Sequence, residues 1–145
     1  MKRIIYKSRA KAWVSASDLA ALLSVSRRNN LKRGLTGLLV YSRGNFLQVL
    51  EGPQRSVDAT FGRILADPRH TSCEIIREEQ IYEPDFGDWL MGFWSDEIST
   101  AQRASGMVSV TNLLEEFNSE WLEGKSQFNE LLFDEIFKLR VETAA

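Results

Sequence analysis

The sequence has a single cysteine, Cys73, and a single histidine, His70. One thiol cannot close an internal disulfide, and one imidazole excludes a histidine-rich zinc site. There is no basic leader followed by an apolar stretch and no long uncharged apolar run. The expectation is therefore a soluble, cytoplasmic protein that makes no membrane contact. Walker A and Gly-x-Gly-x-x-Gly loops are missing too, as are internal repeats and low-complexity segments. No nucleophile–base–acid set emerges. His70 follows Asp67-Pro68-Arg69 and reads as a surface or capping residue, and Cys73 opens an apolar run as an inert core thiol. Nothing in the sequence points to an enzyme. Cationic excess is lacking as well: 18 Lys and Arg against 20 Asp and Glu leave a net charge of -2. That argues against direct binding to nucleic acid or to a lipid surface, both of which reward positive charge.

What is present suits one domain. The chain has 145 residues, 43% hydrophobic and 26% charged, enough to bury a core and too apolar for a disordered tail. Charge is divided unevenly, with 14 basic and 10 acidic side chains in residues 1–95 and 4 and 10 in residues 96–145. The mildly basic front suits an anionic small ligand. The acidic remainder suits a solvated helical face, a segment docked back on the front, or a contact with a partner.

Periodicity orders the elements. Residues Arg3 to Ser8 (RIIYKS) form a first strand. Ser17-Asp18 offers an N-cap to a helix whose Leu19, Leu22, Leu23 and Ser26 recur at helical spacing, closed by Gly34. GLTGLLVYS and NFLQVLEG are strand-like runs joined by Arg43-Gly44, a hairpin signal. Pro53 sits at the start of a second helix, with Val57, Phe61, Ile64 and Leu65 forming its apolar stripe. A fourth strand fits Cys73 to Arg77, extendable to Gln80, and a fifth Asp88 to Trp94. Helical patterns fill the rest. The order βαββαβ plus a strand and a helical tail predicts a ferredoxin-like α+β fold, with right-handed crossovers placing both helices on one sheet face. The hairpin strands are apolar on both parities, so the C-terminal helices or a second subunit should cover the other face.

The informative residues are polar ones at core positions. Gln48 lies in FLQVL with Phe46 and Leu50 on its own face. A buried amide must satisfy two donors and an acceptor, so Gln48 either bonds neighbouring backbone or contacts a ligand. Tyr6 stands in the first strand as a core phenol for which a facing Gln is a natural partner. Asn30 continues the line Leu19, Leu23, Ser26 on the sheet-facing side of its helix. With Asn29 it either caps that helix or offers a donor–acceptor pair to a planar heterocycle. Arg63 and Asp67, four apart, form either a surface ion pair or a flank of the same crevice, with a guanidinium for a ring carbonyl. Trp89 and Met91 share one parity of the fifth strand with Phe93, a pattern ordinary packing also produces.

A βαββαβ order also describes the RNA-recognition module, and Arg43-Gly44-Asn45-Phe46-Leu47-Gln48 begins like its third-strand signature. Asn45 and Leu47 occupy positions that need stacking aromatics, and the charge balance opposes RNA. A colourless interaction domain is the other alternative.

Taken together, RIIYKS (3–8), SRRNNLKRGLTGLLVYSRGNFLQVLEG (26–52), FGRILADPRH (61–70) and FGDWLM (86–91) resemble the BLUF domain over residues 1–95. BLUF domains are blue-light sensors using flavin adenine dinucleotide (FAD), and residues 96–145 resemble the helical extension of stand-alone members. The resemblance implies that Tyr6 and Gln48 are the photoactive pair, and that Asn29 and Asn30 hold the polar edge of the flavin. It implies that Arg63 and Asp67 assist on the other side, and that Trp89 and Met91 relay the signal. It further implies that Gln48 rotates or tautomerises after light drives an electron and a proton from Tyr6. The altered bond to the flavin would shift absorption to the red. Output would pass through the C-terminal helices or a downstream protein in trans, with self-association into a dimer or larger oligomer.

Overall fold

The computed structural model describes residues 1–87 and 90–95, together with Glu135 and Lys138 as helical positions; the side chains of Trp94 and Ser95 are not described. Seven elements follow in order: β1 (Lys2–Ala10), α1 (Ala16–Arg33), β2 (Thr36–Ser42), β3 (Asn45–Gly52), α2 (Gln54–Ala66), β4 (His70–Gln80) and β5 (Gly92–Ser95).

Local chemistry sets the boundaries. The cap of α1 is Ser15, not Ser17-Asp18: Ser15 Oγ accepts from the Asp18 amide, and the Asp18 carboxylate accepts from the Ser15 amide. Asp18 is thus the third helical residue of a capping box, a role that moves the helix start upstream. Gly34 ends α1 with φ 69°, left-handed backbone that glycine adopts without a Cβ clash. Arg43 and Gly44 both have positive φ, 50° and 81°, and form the two-residue loop that matches strand twist in a β-hairpin. Pro53 stands at the N-cap of α2. Two strands depart from expectation. β4 starts at His70 rather than Cys73, because the polar residues His70 and Thr71 pair with Ala10 and Arg9 at the end of β1. β5 starts at Gly92 rather than Asp88, so Leu90 and Met91 lie in the bend before it.

The sheet order is β4-β1-β3-β2-β5. The first four strands pair antiparallel, and β5 joins β2 in parallel. Both helices pack on one face, where Leu19 and Leu23 of α1 and Val57 and Phe61 of α2 meet Ile4, Tyr6, Leu39, Tyr41, Leu50 and Phe93. This is the ferredoxin-like α+β arrangement with an added fifth strand. Ile5, Leu38, Val40, Leu47 and Val49, on the opposite parity, are also buried. The expected cover for that face, the C-terminal helices, falls outside the described residues. Among the described residues no helix is long and apolar enough to cross a membrane.

Candidate functional site

Pairing of β1 with β3 sets Tyr6 directly opposite Gln48, and pairing of β3 with β2 sets Leu39 on the other side. A register shift in the β1–β4 ladder falls between Ile5 and Tyr6; a bulge there lets the Tyr6 side chain be aimed independently of the outer strand. Tyr6 and Gln48 are 4% and 7% exposed. The Tyr6 hydroxyl donates to Gln48 Oε1, and the Tyr6 ring meets Phe61 of α2 at 5.2 Å between centroids. Burial, reinforced by Cys73 and Asp67, pushes the phenol pKa well above its usual value, so its proton stays in place.

That bond orients the amide. With Oε1 on Tyr6, Gln48 Nε2 points at Met91 Sδ, 3.7 Å away. A thioether is a weak acceptor, and a buried amide donor without a good acceptor costs about 1–3 kcal/mol. A carbonyl oxygen supplied here would relieve that cost. The buried donor set therefore fits a planar heterocycle edged with carbonyls.

Asn30 is buried, and its Nδ2 donates to the Leu90 carbonyl at 2.6 Å. Three residues back on α1, Arg27 Nε donates to the Met91 carbonyl at 3.0 Å. The approach to β5 is thus held from α1 beside the Gln48 amide. Arg27 was absent from the expected site, although its spacing from Asn30 puts both on one helix face. Asn29 is half-buried.

Arg63 and Asp67 are not brought together. Arg63 is exposed on α2, whereas Asp67 accepts from the Arg69 amide at 2.9 Å and from its guanidinium at 2.6–3.0 Å. These bonds, the side-chain one foremost, hold the Asp67 carboxyl at about 2. The pairing exists because α2 stops at Asp67, so the chain turns and residue 69, rather than residue 63, faces the carboxylate. His70 is half-buried; its Nε2 donates to the Ile64 carbonyl at 2.5 Å and its Nδ1 lies 2.8 Å from Ser8 Oγ, which places it as a cap on α2. Trp89 lies outside the described residues. A separate groove of about 480 Å³ at the hairpin end, lined by Arg9, Lys11, Trp13, Tyr41 and Arg43, includes none of the expected site residues.

Comparison with known proteins decides the class of ligand. The family model of sensors of blue-light using FAD matches residues 1–92. The chain belongs to the BLUF family. It is a blue-light sensor with FAD as its cofactor. Photoactivated adenylate cyclase subunit beta of Euglena gracilis is 33% identical over 99 residues, 66% of this chain and 11% of that protein. The blue light- and temperature-regulated antirepressor BluF of Escherichia coli (strain K12) is 31% identical over 67 residues, 46% of this chain and 17% of that one. The chain thus spans a small part of the curated relatives it matches. Among solved structures, the dark state of the BLUF protein BlrB superposes with a TM-score of 0.66 at 30% identity, covering 95% of this chain and 96% of BlrB. The photo-activated state of BlsA gives 0.65 at 27%, covering 97% and 94%. Leu47, at a position where base stacking would need an exposed aromatic, is buried.

Proposed function

We propose that Tyr6 and Gln48 are the photoactive pair of this BLUF domain and that the orientation of the Gln48 amide is its light-dependent state. The observation that carries this reading is the buried amide with its acceptor end on the Tyr6 hydroxyl and its donor end on a thioether. When bound, FAD supplies blue-light absorption and, once excited, the oxidising power that draws an electron and a proton from a neighbouring phenol and then returns both. Tyr6 is the phenol in place: buried, protonated and bonded to Gln48. While its proton is held, it pins Gln48 Oε1. Its transient loss releases that end, and the amide rotates or tautomerises so that donor and acceptor exchange roles. Asn30, with Asn29, holds the polar edge of the flavin, and the crevice end near Asp67 is served by Arg69, which Asp67 orients, more directly than by Arg63.

A hydrogen-bond exchange of this kind is worth about 1–2 kcal/mol, enough to shift a two-state population roughly tenfold and too little to unfold a domain. Met91 touches Gln48 and immediately precedes β5, so Met91, with Trp89, is the route outward. Output then passes through residues 96–145 or a protein partner in trans, in a cytoplasmic, self-associating protein that performs no catalysis of its own. The similarity to a photoactivated cyclase and to an antirepressor supports signalling to a separate output. Gln48→Leu tests the pair: the variant should retain FAD and lose the light-induced red shift. A shift of wild-type size in that variant refutes the assignment.

A further inference from the structure

On the sheet face opposite the helices, Glu51 of β3 stands across from Arg3 of β1. Its carboxylate is fully buried and accepts two backbone bonds from the connection between β4 and β5: Asp85 N–H to Oε2 at 2.8 Å and Phe86 N–H to Oε1 at 2.9 Å. Arg3 closes the cluster by donating to Asp85 Oδ2 at 2.5 and 2.8 Å, with its Nε 3.7 Å from Glu51 and a terminal nitrogen 3.4 Å from Glu79 of β4. The connection has to cross from one sheet edge to the other, past β1, β3 and β2, a distance of about 19 Å. Glu51 holds it partway, on the middle strand that also carries Gln48.

We infer that Glu51 is a positioning residue of the light response: by clamping the amides of Asp85 and Phe86 it fixes where Met91 meets Gln48. Leu90 follows Phe86 by four positions, so a shift of the clamped amides is transmitted through about 13 Å of chain at most. At its far end the same chain is held by Arg27 and Asn30 through the carbonyls of Met91 and Leu90. The Met91 thioether is thereby located from both sides of the sheet, and one of those anchors sits three residues from the switching amide on the same strand. The inference rests on the Gln48–Met91 contact being part of the photoresponse.

Two substitutions in the FAD-loaded 145-residue chain separate the clamp from simple charge balance. Glu51→Gln keeps one carbonyl acceptor and turns an amide donor toward a backbone N–H, so the clamp is broken. Asp85→Asn leaves both backbone bonds to Glu51 in place and weakens the pairing with Arg3. The readouts are amide exchange at Asp85 and Phe86 in the dark and the resonance of a methyl-labelled Met91, assigned with Met91→Leu, in dark and light. In Glu51→Gln the two amides should exchange at least tenfold faster, and the light-induced movement of the Met91 resonance should fall severalfold while the red shift persists. In Asp85→Asn both readouts should stay near wild type. Equal responses in the two variants, or a wild-type Met91 response in Glu51→Gln, overturn the inference. Should Glu51→Gln fail to fold, fast exchange at residues 85 and 86 in the wild type, or loss of the Met91 response in Asp85→Asn, overturns it. A wild-type Met91 resonance indifferent to light instead sinks the underlying Gln48–Met91 reading.

Discussion

Tyr6 and Gln48 face each other because a two-residue alternation puts both on the helix side of adjacent strands, and a phenol and an amide are the groups there that need a polar partner. Removing the hydroxyl in Tyr6→Phe should abolish the red shift and, by leaving Gln48 Oε1 unsatisfied, lower stability by about 1–3 kcal/mol. A variant that photocycles normally assigns the donor elsewhere. This pair was readable from the sequence as two polar residues in apolar strands. The Asp67–Arg69 pair was not, because helical spacing pointed to Arg63 and only the end of α2 brings Arg69 round. Asp67 carries a pH signature. Its folded pKa is depressed to about 2, so the stability it contributes is present above the ordinary carboxylate range and is lost as pH falls towards 2. Since Arg69 is largely exposed, solvent reduces that contribution to about 1 kcal/mol. The urea midpoint of Asp67→Asn should lie below wild type at pH 6 and converge with it near pH 2; parallel curves would contradict the pairing.

At the level of elements, the β2–β3 hairpin is legible from Arg43-Gly44 between two apolar runs, because a two-residue turn needs positive φ and Gly44 adopts it without strain. The start of β4 is hidden in the sequence: His70 and Thr71 are polar and enter the strand through backbone pairing with Ala10 and Arg9, which leaves no mark on hydrophobic pattern. The approach to β5 reads as strand in the sequence because Leu90 and Met91 are apolar, whereas in the structure their carbonyls are taken by Asn30 and Arg27. Tight contact between β2 and β3 gives a prediction at this scale. A Cβ on Gly37 would lie 1.9 Å from the Val49 carbonyl oxygen, on the strand that carries Gln48. Gly37→Ala should therefore cost about 3 kcal/mol or more, as backbone rather than a pliable side chain has to move. Thermal melting at the wild-type temperature would show that β2 sits less closely on β3 than described.

For the whole molecule, the element order and the two apolar parities of β2 and β3 were enough to predict a mixed sheet with both helices on one face, since handedness leaves few alternatives. The contacts of Glu51 with Asp85 and Phe86 are beyond the reach of the sequence, because those two residues lie in a connection with no strand or helix periodicity that would place them against β3. The resulting molecule places the Gln48 amide between the Tyr6 hydroxyl and the Met91 thioether at the entrance to its last described strand. The most direct measurement is the absorption spectrum of the FAD-loaded wild-type chain before, during and after blue illumination. The expected result is a yellow protein whose flavin band moves to the red in light and returns in the dark with the flavin still oxidised. A chain that binds FAD yet keeps one unchanged spectrum in light and dark would contradict it.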